Sequence, residues 1–492
     1  MKIVIVGGGS AGWMSAATLV SQLRDAKVTL VESPNIPTIG VGESTINGLI
    51  KWMKLLNIDP DEVVRYTNGS YKLGIKFENF HKKGDGGFYY PFGFNAINDN
   101  TVNEWLKTRK HSFADAMFVN MAFIRHNKFI RSKNESEGHY ALHFDAIKFA
   151  QWLREVYCNK KVTHILSEVT KVNTTDEGVH SIELANGASL TADLFIDCTG
   201  FRSLLLGQSL KEPFESYKDV LPNNKAWAAQ IPYKNKRKEL VNYTNCTALG
   251  NGWVWRVPLW NRIGTGYVYS DEFTTDEEAL TEFKEHLKSI GNDPEQFQYR
   301  KLDMKTGSYE RIWVKNVVAI GLAAGFIEPL ESTGLLTVHQ FLINLSYTLK
   351  RGVYNQFDRD VFNEHTRKDM YFWLEFVALH YNLSARRDTP YWTNIANKTY
   401  TSRYTDSPFA IASQFKMKDT RFDFAGMPCI LYGMNWLPVN RCAMLDIENP
   451  AVDSDDRFEK WDEAVKNLPL MYDYIQHLHD PIQISTHQTG LF

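Results

Sequence analysis

The sequence predicts a mixed α/β protein, α+β or α/β in class, in which a box built on parallel strands precedes a mainly helical module. Three features of the chain support this prediction: a glycine-rich strand–helix–strand pattern at the start, a second strand that runs into a glycine turn at residues 197–202, and a change of composition near residue 345. We therefore expect the box to span residues 1–345, with inserted segments at about 75–130, and the helical module to span residues 346–492.

The first element is a short apolar strand, followed by the spacing Gly7-x-Gly9-x-x-Gly12 and a helix pattern. A second short strand ends in Glu32, about 20 residues after the glycines. In this arrangement the glycines make a tight turn, admit a pyrophosphate and let helix and strand pack closely, while the acid accepts hydrogen bonds from a ribose. The pattern predicts a dinucleotide site whose contacts are Gly7, Gly9, Ser10, Ala11, Gly12 and Glu32.

A second junction lies late in the box. An apolar strand at residues 317–320 ends at the small residues 321–325, and Ser332 and Thr333 then precede a long apolar run where a helix is expected to begin. Such a passage points free backbone N–H groups at an anion or a cofactor. The carboxylates Glu328 and Glu331 fall beside these donors, where negative charge is unexpected unless the chemistry requires it.

Composition excludes several classes of protein. The 492 residues allow two or three domain-sized units, or one large domain with a second module built onto it. The 55 basic against 57 acidic residues leave no charge excess for nucleic-acid binding. Five scattered cysteines lack metal-ligand spacing, so we expect no metal site and a reducing, cytoplasmic location. We find no signal-peptide pattern, and no apolar run reaches the roughly 18–20 residues that a membrane helix requires, so no membrane association is expected.

Several motifs carry a family resemblance. The stretch GNGWVWRVP at residues 250–258 resembles the Trp-x-Trp-x-Ile-Pro signature of flavin-dependent halogenases, with Val257 in place of isoleucine. The amino-terminal glycine motif, the Ile-Lys-Phe around Lys76, FIEPLESTG at residues 326–334 and HYNLSARRDTPYW at 380–392 are similar to the tryptophan halogenase family in the same order. The resemblance extends from residue 1 to about residue 400.

The resemblance implies a fold and a reaction. The box is expected to bind FAD in a two-dinucleotide fold (GR2-like, of the hydroxylase type), and the inserted segments and the helical module are expected to face the substrate. A separate NAD(P)H-dependent flavin reductase supplies FADH2, so this chain alone is not expected to oxidise NADH. Reduced FAD and oxygen give a flavin hydroperoxide, which oxidises chloride, bromide or iodide to hypohalous acid. A lysine then directs the halogen to an electron-rich aromatic ring such as tryptophan or indole.

The same resemblance assigns site residues. Lys76 matches the catalytic lysine, acting either as a haloamine or as a hydrogen-bond donor to hypohalous acid, and the sequence leaves both roles open. Glu331 matches the catalytic glutamate, and Thr333 and Gly334 match the halide site, where backbone N–H groups hold the anion. Further flavin contacts are expected at Val41, Glu43, Val169, Leu322 and Leu335.

The substrate side departs most from the family pattern. Trp253 and Trp255 are expected to shield the flavin from the substrate, with core packing as the alternative. Tyr90 and Phe92 stand where tryptophan-specific members often carry His-x-Phe, and together with Trp436 they are the expected substrate contacts. The identity of the substrate therefore stays open between free tryptophan and indole or another electron-rich ring. A homodimer is only a family-level expectation.

Two other functions compete with halogenation. A flavin-dependent aromatic hydroxylase would use the same peroxide without halide and would not need Lys76. Related hydroxylases commonly carry an acid where this chain has Leu322, which favours the halogenase. An FAD-binding scaffold or carrier would leave both Lys76 and Glu331 without a role.

Overall fold

The computed structural model describes residues 1–35, 42–97, 99–131, 139–398, 403–404, 408, 426–436 and 454–480. These residues form both sheets and helices, which confirms the mixed α/β class. They divide into two compact units. Unit 1 is Met1–Thr67, Phe144–Lys225 and Asp303–Leu374, and unit 2 is Asn68–His143, Ala226–Leu302 and Glu375–Phe492. The predicted module boundary near residue 345 stays a prediction.

The strands, in chain order, are β1 (Lys2–Val6), β2 (Lys27–Glu32), β3 (Glu43–Ser44), β4 (Ser70–Lys72), β5 (Gly74–Glu78), β6 (Phe88–Pro91), β7 (Ala141–Phe144), β8 (Thr163–Leu166), β9 (Val169–Thr175), β10 (Gly178–Leu184), β11 (Ser189–Leu190), β12 (Leu194–Asp197), β13 (Phe214–Ser216), β14 (Lys225–Ile231), β15 (Tyr243–Ala248), β16 (Gly252–Pro258), β17 (Ile263–Tyr269), β18 (Arg300–Asp303), β19 (Gly307–Tyr309), β20 (Trp313–Val314), β21 (Val317–Ala319) and β22 (Gly325–Phe326).

The helices are α1 (Ser10–Gln22), α2 (Gly48–Leu55), α3 (Pro60–Thr67), α4 (Asp99–Thr108), α5 (Phe113–Met117), α6 (Asn120–Arg125), α7 (Ala146–Trp152), α8 (Lys236–Glu239), α9 (Asp276–Ser289), α10 (Thr333–Lys350), α11 (Gln356–Asn382), α12 (Pro390–Ala396), α13 (Gly426–Gly433), α14 (Ser454–Val465) and α15 (Met471–His479). No described helix is long and apolar enough to cross a membrane.

Unit 1 is built on a six-stranded sheet in the order β20-β21-β12-β1-β2-β8, in which all neighbours except the edge pair β20–β21 run parallel. The central strand is buried on both faces, as parallel strands usually are, and Ile3, Val4 and Ile5 are fully buried. Because the carboxyl ends of β1, β2 and β12 meet at one edge, a ligand is expected there. Helices α1 and α10 pack against each other in this unit.

Unit 2 is built on a seven-stranded sheet in the order β18-β14-β17-β16-β15-β5-β6. Helix α9 covers one face through a cluster that includes Val254, Tyr267, Phe283 and Leu287. The strand predicted from alternating residues is present as β5, and Ile75 and Phe77 are fully buried as that alternation indicates. The short strand β4 pairs antiparallel with β7.

Candidate active site

The glycine turn of unit 1 is closed by backbone contacts. Gly7 has a φ of +116°, and a Cβ atom on it would lie 2.2 Å from the carbonyl oxygen of Cys198. A Cβ atom on Gly12 would lie 1.9 Å from the carbonyl oxygen of Gly7. By contrast, nothing lies within 4 Å of a Cβ atom on Gly9. Helix α1 begins at Ser10 without a side-chain cap, so its first N–H groups and the open space at Gly9 suit a phosphate.

The predicted ribose-binding carboxylate, Glu32, lies at the carboxyl end of β2. Its Oε2 atom is 2.9 Å from Nε2 of His164 on the neighbouring strand β8. Trp13 contacts the His164 ring edge-on, with 5.1 Å between the ring centroids. His164 therefore fixes the position of the carboxylate, and sequence reasoning missed this residue. Its only sequence signal is its place in a strand of the same sheet.

Two distant predicted flavin contacts come together in unit 1. Gly321, with a φ of +70°, begins the short helical turn that contains Leu322, and a Cβ atom on it would lie 2.8 Å from the Cβ of Ala11. The turn after β21 therefore lies directly on the first turn of α1. The hydroxyl of Ser10 in that turn donates to the carbonyl of Ala146 over 3.3 Å.

The other predicted flavin contacts are more scattered. Leu335 lies buried in the first turn of α10, and Val169 begins β9 half-buried. Burial raises the pKa of the Glu43 carboxyl to about 7, so this acid can hold a proton near neutral pH. Val41 lies outside the described residues.

The predicted halide turn is shaped by its backbone. Residues Pro329–Glu331 form a single 3₁₀ turn, Ser332 adopts a left-handed φ of +58°, and α10 begins at Thr333. The Ser332 hydroxyl donates to the Ser44 hydroxyl over 3.0 Å and does not cap α10. The side chain of Ser332 therefore accepts no hydrogen bond from the first backbone N–H groups of this 18-residue helix.

The polar groups of this turn are buried. Glu331 and Thr333 are each 1% exposed, and the Thr333 hydroxyl has no hydrogen-bond partner among the described residues. Nothing lies within 4 Å of a Cβ atom on Gly334. Helix N–H groups, a hydroxyl and open space together suit a small anion. Glu328 is held differently, because Asn223 donates to its carboxylate over 2.8 Å.

In unit 2 the strand pairing assigns residues to two faces of the seven-stranded sheet. Trp255 pairs with Cys246, and Tyr90 pairs with Ile75, which pairs with Thr244. Since directly paired residues point the same way, Tyr90, Trp253 and Trp255 share a face, which we call the tryptophan face. The Trp253 ring lies 6.3 Å from that of Trp255, and its Nε1 atom is buried without a hydrogen-bond partner in the described part of the chain.

Lys76 lies on the opposite face of this sheet. It pairs with Asn245 and Tyr89, and its Nζ atom is 2.5 Å from Oε1 of Glu78. Asn245 and Thr247 donate to the other carboxylate oxygen over 2.8 and 3.0 Å. Burial acts to raise the pKa of Glu78, but the hydrogen bonds from Lys76, Asn245 and Thr247 outweigh it and hold that pKa below its usual range. Lys76 is thus engaged in an ion pair away from the tryptophan face.

A second lysine, Lys72, lies four residues earlier and was missed by the sequence reasoning. It is fully buried, and its Nζ atom lies 5.2 Å from the centre of the Phe92 ring. Phe92 in turn meets Tyr90 edge-on, with 5.5 Å between centroids. Both predicted substrate rings therefore group with Lys72 rather than with Lys76. The strand is interrupted at Leu73, between β4 and β5, so simple alternation does not relate the two lysines.

A buried histidine adjoins Lys72. His143 pairs across from Ser70 in the β4–β7 ladder, on the face that Lys72 shares. Ser70 donates to the carbonyl of Pro258, so it accepts from Nδ1 of His143 over 3.1 Å, and Thr244 donates to Nε2 over 2.8 Å. Burial and the charge of Lys72 lower the pKa of His143 well below its usual value. His143 is a neutral imidazole with a fixed tautomer.

The remaining predicted substrate contact, Trp436, follows helix α13. Its backbone N–H donates to the carbonyl of Leu431 over 2.8 Å and so closes the carboxyl end of that helix. At the other end of α13, Gly426 lies against the ring of Tyr90. Helix α13 therefore connects Trp436 to the ring group beside Lys72.

Known proteins match this chain along most of its length. A family model described as tryptophan halogenase matches residues 2–448. Tryptophan 6-halogenase ThaL of Streptomyces albogriseolus is 32% identical, with 97% of this chain and 98% of the relative covered. Tryptophan 7-halogenase RebH of Lentzea aerocolonigenes is 36% identical, with coverage of 81% and 78%. The crystal structure of tryptophan 6-halogenase SttH from Streptomyces toxytricini superposes with a TM-score of 0.87 at 32% identity, covering 96% and 99%.

The fold and these matches define the class first, an enzyme of the flavin-dependent halogenases. More particularly, the chain belongs to the tryptophan halogenase family. The resemblance read from the sequence motifs is thereby confirmed. The hydroxylase and the non-enzymatic scaffold find no support among these relatives.

Proposed function

We propose that this enzyme uses FADH2 and oxygen to halogenate a free electron-rich aromatic ring, tryptophan or an indole without the amino-acid group. The observation that carries the proposal is a fully buried lysine, Lys72, placed beside the ring of Phe92, which in turn meets the ring of Tyr90. Burial removes most of the hydration of an ammonium group, so a lysine held beside rings inside the fold is a candidate functional residue.

Unit 1 is proposed to hold the cofactor. The open space above Gly9 and the uncapped start of α1 suit the pyrophosphate of FAD, and Glu32 suits its ribose. Reduced FAD, supplied by a separate NAD(P)H-dependent reductase, provides with oxygen the oxidising power that converts a halide to hypohalous acid. The contact between the turn of Leu322 and the first turn of α1 supports a second flavin contact there.

The halide is proposed to bind at the start of α10. The N–H groups of Thr333 and Gly334 and the Thr333 hydroxyl are the donors that an anion of this size needs. The space at Gly334 leaves room for chloride, bromide or iodide. Glu331 stays the proposed catalytic carboxylate, which accepts the ring proton when the halogen replaces it.

Two lysines compete for the delivery of the halogen. The sequence resemblance favours Lys76, and that assignment stays a prediction. The geometry of unit 2 favours Lys72, because Lys76 is tied to Glu78 on the face away from Trp253 and Trp255. We propose that Nζ of Lys72 holds the electrophilic halogen next to the bound ring. The halogen then bonds to a ring carbon as its bond to oxygen breaks, the released hydroxide takes a proton from the Lys72 ammonium and leaves as water, and the ring proton passes to a base.

The test is product analysis with the whole chain. A flavin reductase with NADH supplies FADH2, and bromide with either indole or tryptophan is added in air. We expect brominated product, identified by mass spectrometry, that depends on bromide and on the reductase, and no NADH oxidation by the chain alone. Oxygenated product that forms without bromide would contradict the proposal and favour the hydroxylase.

A further inference from the structure

Helix α13 lies on strand β6 through a glycine near each end. A Cβ atom on Gly426 would lie 2.6 Å from Cζ of Tyr90 and 2.8 Å from its hydroxyl oxygen. A Cβ atom on Gly433 would lie 2.3 Å from the ring of Phe88. Such distances are shorter than any ordinary van der Waals contact, so each glycine leaves room for one aromatic ring.

The two glycines contact rings that lead to different places. Tyr90 meets Phe92 at 90°, with 5.5 Å between centroids, and the Phe92 ring lies 5.2 Å from Nζ of Lys72. Phe88 instead stacks on Phe77, with 5.1 Å between centroids and 27° between planes, within the core of the sheet. Gly426 therefore borders the group of rings beside Lys72, and Gly433 borders a structural pair.

We propose that Gly426 is a specificity-determining residue that sets which ring carbon of the substrate is halogenated. Without a side chain at residue 426, the Tyr90 ring sits fully against α13, and the remaining space beside Phe92 fixes how a flat substrate ring lies relative to Lys72. The inference rests on the proposed function. It takes the aromatic ring of that proposal to be oriented by Tyr90 and Phe92.

The physical basis is the cost of overpacking. An added methyl group at Gly426 would force the far end of Tyr90 to shift, since a packed core cannot absorb the overlap. Tyr90 would then move toward the space of the substrate. A displacement of about 1 Å of a substrate against a catalytic group changes rates by about 10²-fold. A smaller displacement of the substrate ring would therefore still change the relative rates of halogenation at its different carbons.

The experiment compares Gly426→Ala with the matched control Gly433→Ala. The whole chain, with the reductase and bromide, brominates indole, and the regioisomers are quantified by chromatography against authentic bromoindoles. We expect Gly426→Ala to change the regioisomer ratio at least about 5-fold and to raise KM. Gly433→Ala is expected to lower the melting temperature at least as much as Gly426→Ala does. It is expected to keep the wild-type ratio of regioisomers.

A double-variant cycle tests whether Gly426 acts through Tyr90. In a Tyr90→Leu background, which removes the ring that the methyl group meets, Gly426→Ala is expected to leave the ratio unchanged. The same double variant relieves the overlap if Gly426→Ala alone does not fold. Equal ratios for wild type and Gly426→Ala, or equal shifts from both glycines, would overturn the role of Gly426. Absence of any brominated product from the wild type would overturn the proposed function as well.

Discussion

The halide turn of unit 1 and the ring group of unit 2 are built in different ways. The turn of residues Pro329–Glu331 and the start of α10 owe their shape to the backbone, through the left-handed Ser332 and the N–H groups of the first turn of α10. The ring group of Tyr90 and Phe92 beside Lys72 owes its shape to side chains that fill space against each other. Substitutions at the halide turn should therefore act through the backbone angle φ. Substitutions in the ring group should act through side-chain volume.

The largest effect is expected where backbone meets backbone. Gly12→Val in unit 1 would place a side chain 1.9 Å from the Gly7 carbonyl oxygen, and nothing there can yield without opening the turn. We expect loss of FAD binding by more than about 100-fold, or loss of folding, measured by flavin fluorescence titration and circular dichroism. Gly9→Ala is the matched control for folding, because the space beside Gly9 is open and the added methyl group meets no protein atom. It should therefore leave the circular dichroism spectrum unchanged.

A smaller effect is expected at Ser332. A β-branched residue is strained at a φ of +58°, so Ser332→Val should cost about 1–2 kcal/mol of unfolding free energy. It should also raise the KM for bromide. Ser332→Gly keeps the backbone conformation and removes the hydroxyl that donates to Ser44, so its KM for bromide should stay near the wild-type value. If Ser332→Val and Ser332→Gly have the same KM for bromide, the site does not depend on the backbone conformation of residue 332.

Removal of one donor should have a moderate effect. Thr333→Val keeps the shape of a buried side chain and removes a hydroxyl that has no partner within the described residues. If that hydroxyl binds the halide, the KM for bromide should rise about 5- to 10-fold, the equivalent of about 1 kcal/mol for one hydrogen bond. An unchanged KM in steady-state bromination would show that backbone donors alone hold the anion.

The last effect concerns how stability depends on pH, and it contrasts His339 on α10 with His143 in unit 2. Burial lowers the pKa of His339 to about 3, and neither ring nitrogen has a partner among the residues described. Below about pH 6.5 the unfolded chain binds a proton at His339 that the folded chain does not bind. Between about pH 6.5 and pH 3, His339 therefore lowers the unfolding free energy by about 1.4 kcal/mol for each unit by which the pH falls.

His339→Leu should therefore reduce the stability difference between pH 7 and pH 5 by about 2 kcal/mol, measured by denaturant unfolding. His143→Leu is the contrasting variant, because it also removes the hydrogen bonds with Ser70 and Thr244 and should lower stability at pH 7. An unchanged pH dependence in His339→Leu would mean that His339 is protonated in the folded protein.

The sequence could predict what local patterns determine. The spacing of Gly7, Gly9 and Gly12 predicted the turn between β1 and α1, and Ser332–Thr333 marked where α10 begins. Alternation placed Ile75 and Phe77 in the core. These features depend on neighbours a few residues apart, so they can be read from one strand or one turn.

Other features depend on distant pairing, and no local pattern reports them. Lys72 is buried because β4 pairs with β7, about 70 residues later, and because the strand breaks at Leu73. The contact of His164 with Glu32 and that of Gly426 with Tyr90 likewise join segments far apart in the chain. The sequence therefore indicated a lysine in the right segment, and the fold distinguishes which of two lysines meets the rings.

The central claim is that the lysine beside the rings delivers the halogen. The most direct measurement is the bromination rate of Lys72→Met and Lys76→Met, with reduced FAD, oxygen and bromide supplied identically and hydroperoxide formation checked by flavin absorbance. The geometry predicts that Lys72→Met lowers kcat by about 10²- to 10⁴-fold, while Lys76→Met loses about 10-fold or less. Bromination that survives in Lys72→Met and disappears in Lys76→Met would contradict the account and return the catalytic role to Lys76.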